Sequence, residues 1–275
     1  MFEDVIIFCL ESGYEVWNLI VNYVYLQLGQ SPDTFAGGSL WSIIAGVLPI
    51  FAGVAGTLYA FMVLLGFFKE ITDARQVQVW DYVKIFAKAA IGNVLILNFS
   101  NIALQLFRSG GALIGLVGTP QALHTSLSDA TREAISDTGW GWQILLILLA
   151  VVMLVVMVVT AFGLLFVLYE RFIKLVLIVP LGIFACACLP MGMNITGQYF
   201  KNLISLILEG VVIVLALMLA AALANSGFSV ADGLTENAML QAVGRMFEAC
   251  FMMIMTLGIV KGAQNITVRS LGFSL

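Results

Sequence analysis

The residues of this chain that could do chemistry are few: four cysteines, one histidine and two carboxylates inside apolar runs. Cys186-Ala-Cys188 has the spacing of a metal or redox pair. Like Cys9 and Cys250, however, these thiols lie in or beside apolar segments, where inert buried thiols are the expectation. His124 is the single histidine, which excludes a metal centre built on several imidazoles and leaves no Ser–His–Asp set. No glycine-rich loop ends in Lys-Ser or Lys-Thr, so no phosphate cradle is indicated. The expectation is a protein that is not an enzyme and carries no metal or cofactor.

Glu209 stands apart, because it lies inside the apolar stretch Leu203 to Ala224, roughly 10 Å from Lys201 at helical rise. A carboxylate there costs a few kcal/mol unless it is paired, protonated or wet. Two readings stay open. Glu209 can serve a gate, ion or proton site, or it can be a structural group, either paired with Lys174, Arg171 or a neighbouring subunit's cation or held as a neutral, hydrogen-bonded acid. Glu248 is near a span end and can reach the interface.

The elements that must position these groups follow from composition. The chain is 61% hydrophobic and 10% charged, far from the quarter of charged residues usual in soluble domains. Its apolar blocks alternate with charged hinges, which predicts an all-α polytopic membrane protein, one integral domain over 1–275. The net charge of −4 is scattered, and no basic tract points to nucleic acid. The chain opens Met1-Phe2-Glu3-Asp4, unlike a basic signal peptide, so the first span is expected to act as its own targeting signal.

Residues 2–28 predict an amphipathic helix with Asp4, Glu11, Glu15, Asn18 and Asn22 on one face. It can lie in the membrane interface, pack on other subunits, or cover the domain's own spans. Spans are expected at 40–68, 85–107, 140–169, 203–224 and 246–260. Asn98, Asn101 and Gln105 share one face of the second span, a candidate helix or subunit contact or a conduit lining. Gly110-Gly111 through Thr119-Pro120 reads as a glycine-rich connector, and 121–138 as a short amphipathic helix. Asn225 to Arg245 reads as a polar, acidic loop, and Lys261 to Leu275 as a basic tail.

The segment 175–193 is the ambiguous one. Leu175 to Leu189 contains Pro180 and is closed by Pro190, and it reaches only ~22 Å against the ~30 Å hydrocarbon core. If every apolar segment crosses, the twelve Lys and Arg divide seven inside and five outside. If 175–193 dips and returns, the division becomes nine against three, the better fit to the positive-inside rule. The expectation is five spans and one re-entrant or half-helix segment, with the N-terminus outside and the C-terminus cytoplasmic. Such a segment must be covered by protein, which makes Pro180, Gly182 and Pro190 candidate helix or subunit contacts.

Glu170-Arg171-Phe172-Ile173-Lys174 closes a long span, and the Pro-containing run Leu175 to Pro190 follows it. Tyr199-Phe200-Lys201-Asn202-Leu203 makes an aromatic–basic entry to the next span, and the hinge Phe67 to Ile85 carries Asp81, Tyr82 and Lys84. In these motifs and in the order of its segments the chain resembles the TrbL family, the polytopic membrane subunits of conjugative type IV secretion systems. Family members often carry Trp at that entry, where this chain has Tyr199 and Phe200. The resemblance covers most of the chain as a pattern of segments. It implies a channel or assembly subunit in the cytoplasmic membrane, homo-oligomeric and working with secretion ATPases and other membrane subunits. The implied cargo is single-stranded DNA with its relaxase. The alternative reading is a small ion-coupled secondary transporter with Glu209 at a midplane site.

Overall fold

In the computed structural model, the described residues are 2–73, 79–122, 129–136, 140–191, 193–225 and 238–270. They form helices α1 (Phe2–Leu28), α2 (Ser39–Asp73), α3 (Val79–Val117), α4 (Asp129–Ser136), α5 (Trp140–Ala187), α6 (Met193–Asn225) and α7 (Ala238–Ser270). A short 3-10 turn, Phe35–Gly38, leads into α2. There are no strands among the described residues. Five stretches are long and apolar enough to cross a membrane: Phe35–Lys69, Tyr82–Val117, Gly141–Ala187, Asn194–Asn225 and Met246–Ala263. The protein is an all-α, membrane-embedded polytopic protein.

The chain divides into two compact units. The first comprises residues 1–28, 114–169 and 211–263. Here α1 buries Ile6, Leu10, Trp17, Ile20, Val24 and Leu28, a stripe at successive spacings of four, seven, three, four and four that follows one helical face. Gly13 lies in that stripe against the Met157 side chain of α5, so α1 covers its own unit. The acidic and amide positions of its expected polar face stay half-exposed or exposed. Glu11 accepts a 2.6 Å hydrogen bond from Arg132, which ties α1 to α4. Within the same unit Gly163 admits Leu257 of α7, and the Cys250 thiol packs 3.1 Å from the Met153 sulfur.

The second unit comprises 29–113, 170–210 and 264–275. It holds α2, most of α3, and a helical hairpin made from the end of α5, the turn 188–191 and the start of α6. The loop before α2 uses left-handed backbone at Ala36, Gly37 and Gly38. It also places Asp33 beside Arg108 at 2.6 Å. Phe35 stacks on Phe172 with ring centroids 3.7 Å apart, and both rings are buried.

Three boundaries differ from those read off the sequence. The break expected at Glu170-Arg171 is absent: α5 runs for 48 residues, ~72 Å at helical rise, and Leu175–Ala187 is its continuation rather than a separate short element. Charges end a span only where lipid must face them, and here Arg171 is buried while Glu170 pairs with Lys174 one turn on. The chain then reverses at 188–191 and returns as α6. Gly110-Gly111 is helical rather than a connector, and α3 continues to Val117. Both glycines are there for close approach: a Cβ at Gly110 would meet Ile207, and one at Gly111 would sit 2.5 Å from the Gly29 carbonyl oxygen. Finally, α7 starts at Ala238 and extends to Ser270, taking up the end of the expected acidic loop and much of the expected tail. His124, with Leu123 and Leu127 of the expected short helix, lies outside the described residues, as do 226–237.

Candidate functional site

The hairpin of α5 and α6 carries Arg171, Lys174 and Glu209, the charged candidates of the sequence. Thr196 donates to the Ala185 carbonyl at 2.7 Å, and Tyr199 donates to the Ile178 carbonyl at 3.0 Å. The two helices are thus strapped together across the apolar run. Pro180 is buried inside α5 without ending it. Gly182 faces α3 and α6 at once: a Cβ there would run into the Phe99 ring and come within 2.5 Å of the Tyr199 hydroxyl. At the tip, the Pro190 carbonyl oxygen lies 2.7 Å from where Gly66 of α2 would carry a Cβ. Close to it, Gly92 of α3 receives the Tyr59 ring and the Cys186 carbonyl.

A charge cluster occupies the opposite end of the hairpin. Arg171 is only 4% exposed, and its Nη2 reaches the Ile207 carbonyl at 3.5 Å, the outer limit of a hydrogen bond. Gly210 makes the room: a Cβ there would stand 2.5 Å from the guanidinium carbon. On α6, Ser205 and Glu209 fall one turn apart on one face, with exposures of 0% and 4%. Arg171 Nε and Nη1, Ser205 Oγ and Glu209 Oε2 are all buried without a hydrogen-bond partner among the described residues. The positive charges of Arg171 and Lys174 act on Glu209, and the half-exposed Glu170–Lys174 pair closes at 2.7 Å on the rim.

The structure therefore brings Arg171, Lys174 and Glu209 into one neighbourhood. Chemically it is a loosely closed, nearly neutral set of donors and acceptors in a buried interior, where the orphan Arg171 and Ser205 atoms suit ordered water and the Glu209 oxygen suits water or a proton. It contains no nucleophile–base pair. No group of three His, Cys, Asp or Glu side chains that could hold a metal occurs among the described residues. Ser205 and Gly210 were not singled out from sequence. The only available signal was their spacing around Glu209, four before and one after.

The remaining candidates lie elsewhere. Asn98, Asn101 and Gln105 are exposed on the outside of α3, with Asn98 donating only to its own Val94 carbonyl at 2.9 Å. Cys186 and Cys250 are buried and Cys188 half-buried, and all are free thiols. In the first unit a shallow, uncharged groove is lined by Trp17, Asn18, Leu217, Ala221 and Met253. A scan of protein families, a search of curated proteins and a search of solved structures found no match to this chain.

Proposed function

We propose that this chain is a non-enzymatic channel or assembly subunit of a conjugative type IV secretion apparatus in the cytoplasmic membrane. In this reading it supports passage of single-stranded DNA with its relaxase, forms a homo-oligomer, and works with secretion ATPases and other membrane subunits. The observation that carries the reading is the α5–α6 hairpin. The segments that resemble the TrbL family, Glu170 to Lys174, Leu175 to Pro190 and Tyr199 to Leu203, fall on this hairpin. It is packed against α2 and α3 at Gly66, Gly92 and Phe99. A strapped hairpin that packs on α2 and α3 along one side, with Leu177 and Leu181 left exposed on the other, suits a structural part of an assembly better than a lone lipid-facing span. The cation distribution supports an outside N-terminus and a cytoplasmic C-terminus.

The test is genetic and biochemical together. Deleting the gene from its mobile element should abolish DNA transfer, and the wild-type gene should restore it. Gly182→Leu should insert in the membrane yet fail to restore transfer. Transfer that is indifferent to the deletion refutes the reading. The orphan oxygen of Glu209 favours the second reading, an ion-coupled transporter. That reading requires solute uptake in proteoliposomes that collapses in Glu209→Gln.

A further inference from the structure

Lys88 and Arg108 bracket an uncharged run of α3, residues 89–107. At helical rise it measures ~28 Å, the thickness of a hydrocarbon core. Asn98 stands midway, roughly 15 Å from each cation, and Asn101 and Gln105 follow it on the same face at spacings of three and four. All three are exposed. The side-chain amides of Asn101 and Gln105 make no hydrogen bond among the described residues, and Asn98 spends one N–H on its own helix. Val94 and Leu97 stand out beside them, 58% and 74% exposed.

Lipid tails offer these amides neither donors nor acceptors, so a single copy leaves them unsatisfied at the depth where that costs most. A partner with a charge on this face would bury it without a counter-charge. A carboxamide both gives and accepts, so an identical stripe meets each donor with an acceptor. Arg108, one turn beyond Gln105, is already answered: Asp33 of its own chain holds it at 2.6 Å, so two copies would not repel there.

We infer that α3 is a self-contact: it packs on α3 of a second copy around a twofold axis along the membrane normal. Asn98, Asn101 and Gln105 then bond reciprocally across the contact, like residue to like residue. The inference rests on the assembly reading above and names the surface that joins two copies.

The test uses the full chain in membrane vesicles. With the four native cysteines replaced by alanine, Asn101→Cys should cross-link to a dimer under mild oxidation. Phe61→Cys, an exposed position on α2, should not. In the cysteine-containing protein, counting subunits per particle by single-molecule photobleaching should show dimers. The combined Asn98→Leu, Asn101→Leu and Gln105→Leu variant should associate about tenfold more weakly or worse, with helical content retained. A dimer that survives the triple substitution overturns the inference. So does Asn101→Cys that reacts with an impermeant thiol reagent without cross-linking, since the stripe would then face water. DNA transfer is scored separately. A needed gene without the cross-link refutes the contact alone, and a cross-link in a protein that transfer does not need refutes the secretion role alone.

Discussion

Gly182 offers a sharp test of how the hairpin is held. In an exposed helix, replacing glycine by alanine gains about 1 kcal/mol of backbone stability, and that gain applies at Gly182 as at any helical glycine. The new methyl at Gly182 would run into the ring of Phe99, which is 1% exposed and has no open space to swing into, and would crowd the Tyr199 hydroxyl at 2.5 Å. Overpacking of this kind costs about 1–3 kcal/mol. The expected net effect of Gly182→Ala is a loss of up to about 2 kcal/mol. Gly56→Ala supplies the control, because nothing lies within 4 Å of its added methyl, and it should gain about 0.5–1 kcal/mol. The assay is reversible unfolding in mixed micelles titrated with a denaturing detergent, followed by helical circular dichroism. Pairing Gly182→Ala with Phe99→Leu should return part of the loss, as expected for residues in direct contact. If Gly182→Ala matches Gly56→Ala, the close packing of α5 on α3 and α6 is refuted.

The buried cluster should behave as a unit. Arg171→Leu or Glu209→Leu alone is expected to cost about 3 kcal/mol or more, because each leaves the other charge uncompensated, while the double variant should cost less than the sum; additive losses in the same unfolding assay would contradict this. Burial pushes the Asp33 carboxyl up, but the Ser31 hydroxyl and the Arg108 guanidinium outweigh it and hold it below the ordinary carboxylate value. The loop contact should therefore be intact above about pH 4 and be lost as the pH falls through the lowered value. Arg108→Gln should move the Asp33 titration, read by carbon NMR, back up toward the ordinary value. Arg132→Ala, which removes a half-exposed pair with Glu11, should cost less than about 1 kcal/mol. Ala36→Gly should stabilise the protein by about 1 kcal/mol, since Ala36 sits at a φ of 52°. Unchanged stability would mean that this backbone is relaxed without the substitution.

Some of this architecture was legible in the sequence and some was not, for physical reasons. The bounds of α1 and the presence of five spans follow from apolar periodicity and charged hinges, which act locally. The continuation of α5 through Glu170-Arg171 was hidden, because a charge is compatible with helical backbone. What it forbids is lipid contact, and that depends on what packs there. Gly110-Gly111 and Gly182 illustrate a second limit. Glycine serves turns and close approaches alike, and only the neighbour, Ile207, Gly29 or Phe99, tells which. Glu209 was visible as an outlier within its own span. Its setting was not, because Arg171 comes from another helix and Gly210 matters only for the side chain it lacks.

The burial of Arg171 also orders events in time. The chain is made from its N-terminus, so Arg171 emerges well before the α6 residues that receive it, Ile207 and Gly210. Until they arrive, the guanidinium has no interior to enter and must stay at the water-facing boundary, since crossing alone costs several kcal/mol. The end of α5 cannot settle by itself. The hairpin has to enter as a pair of helices, and any defect that delays α6 strands α5 at the same step.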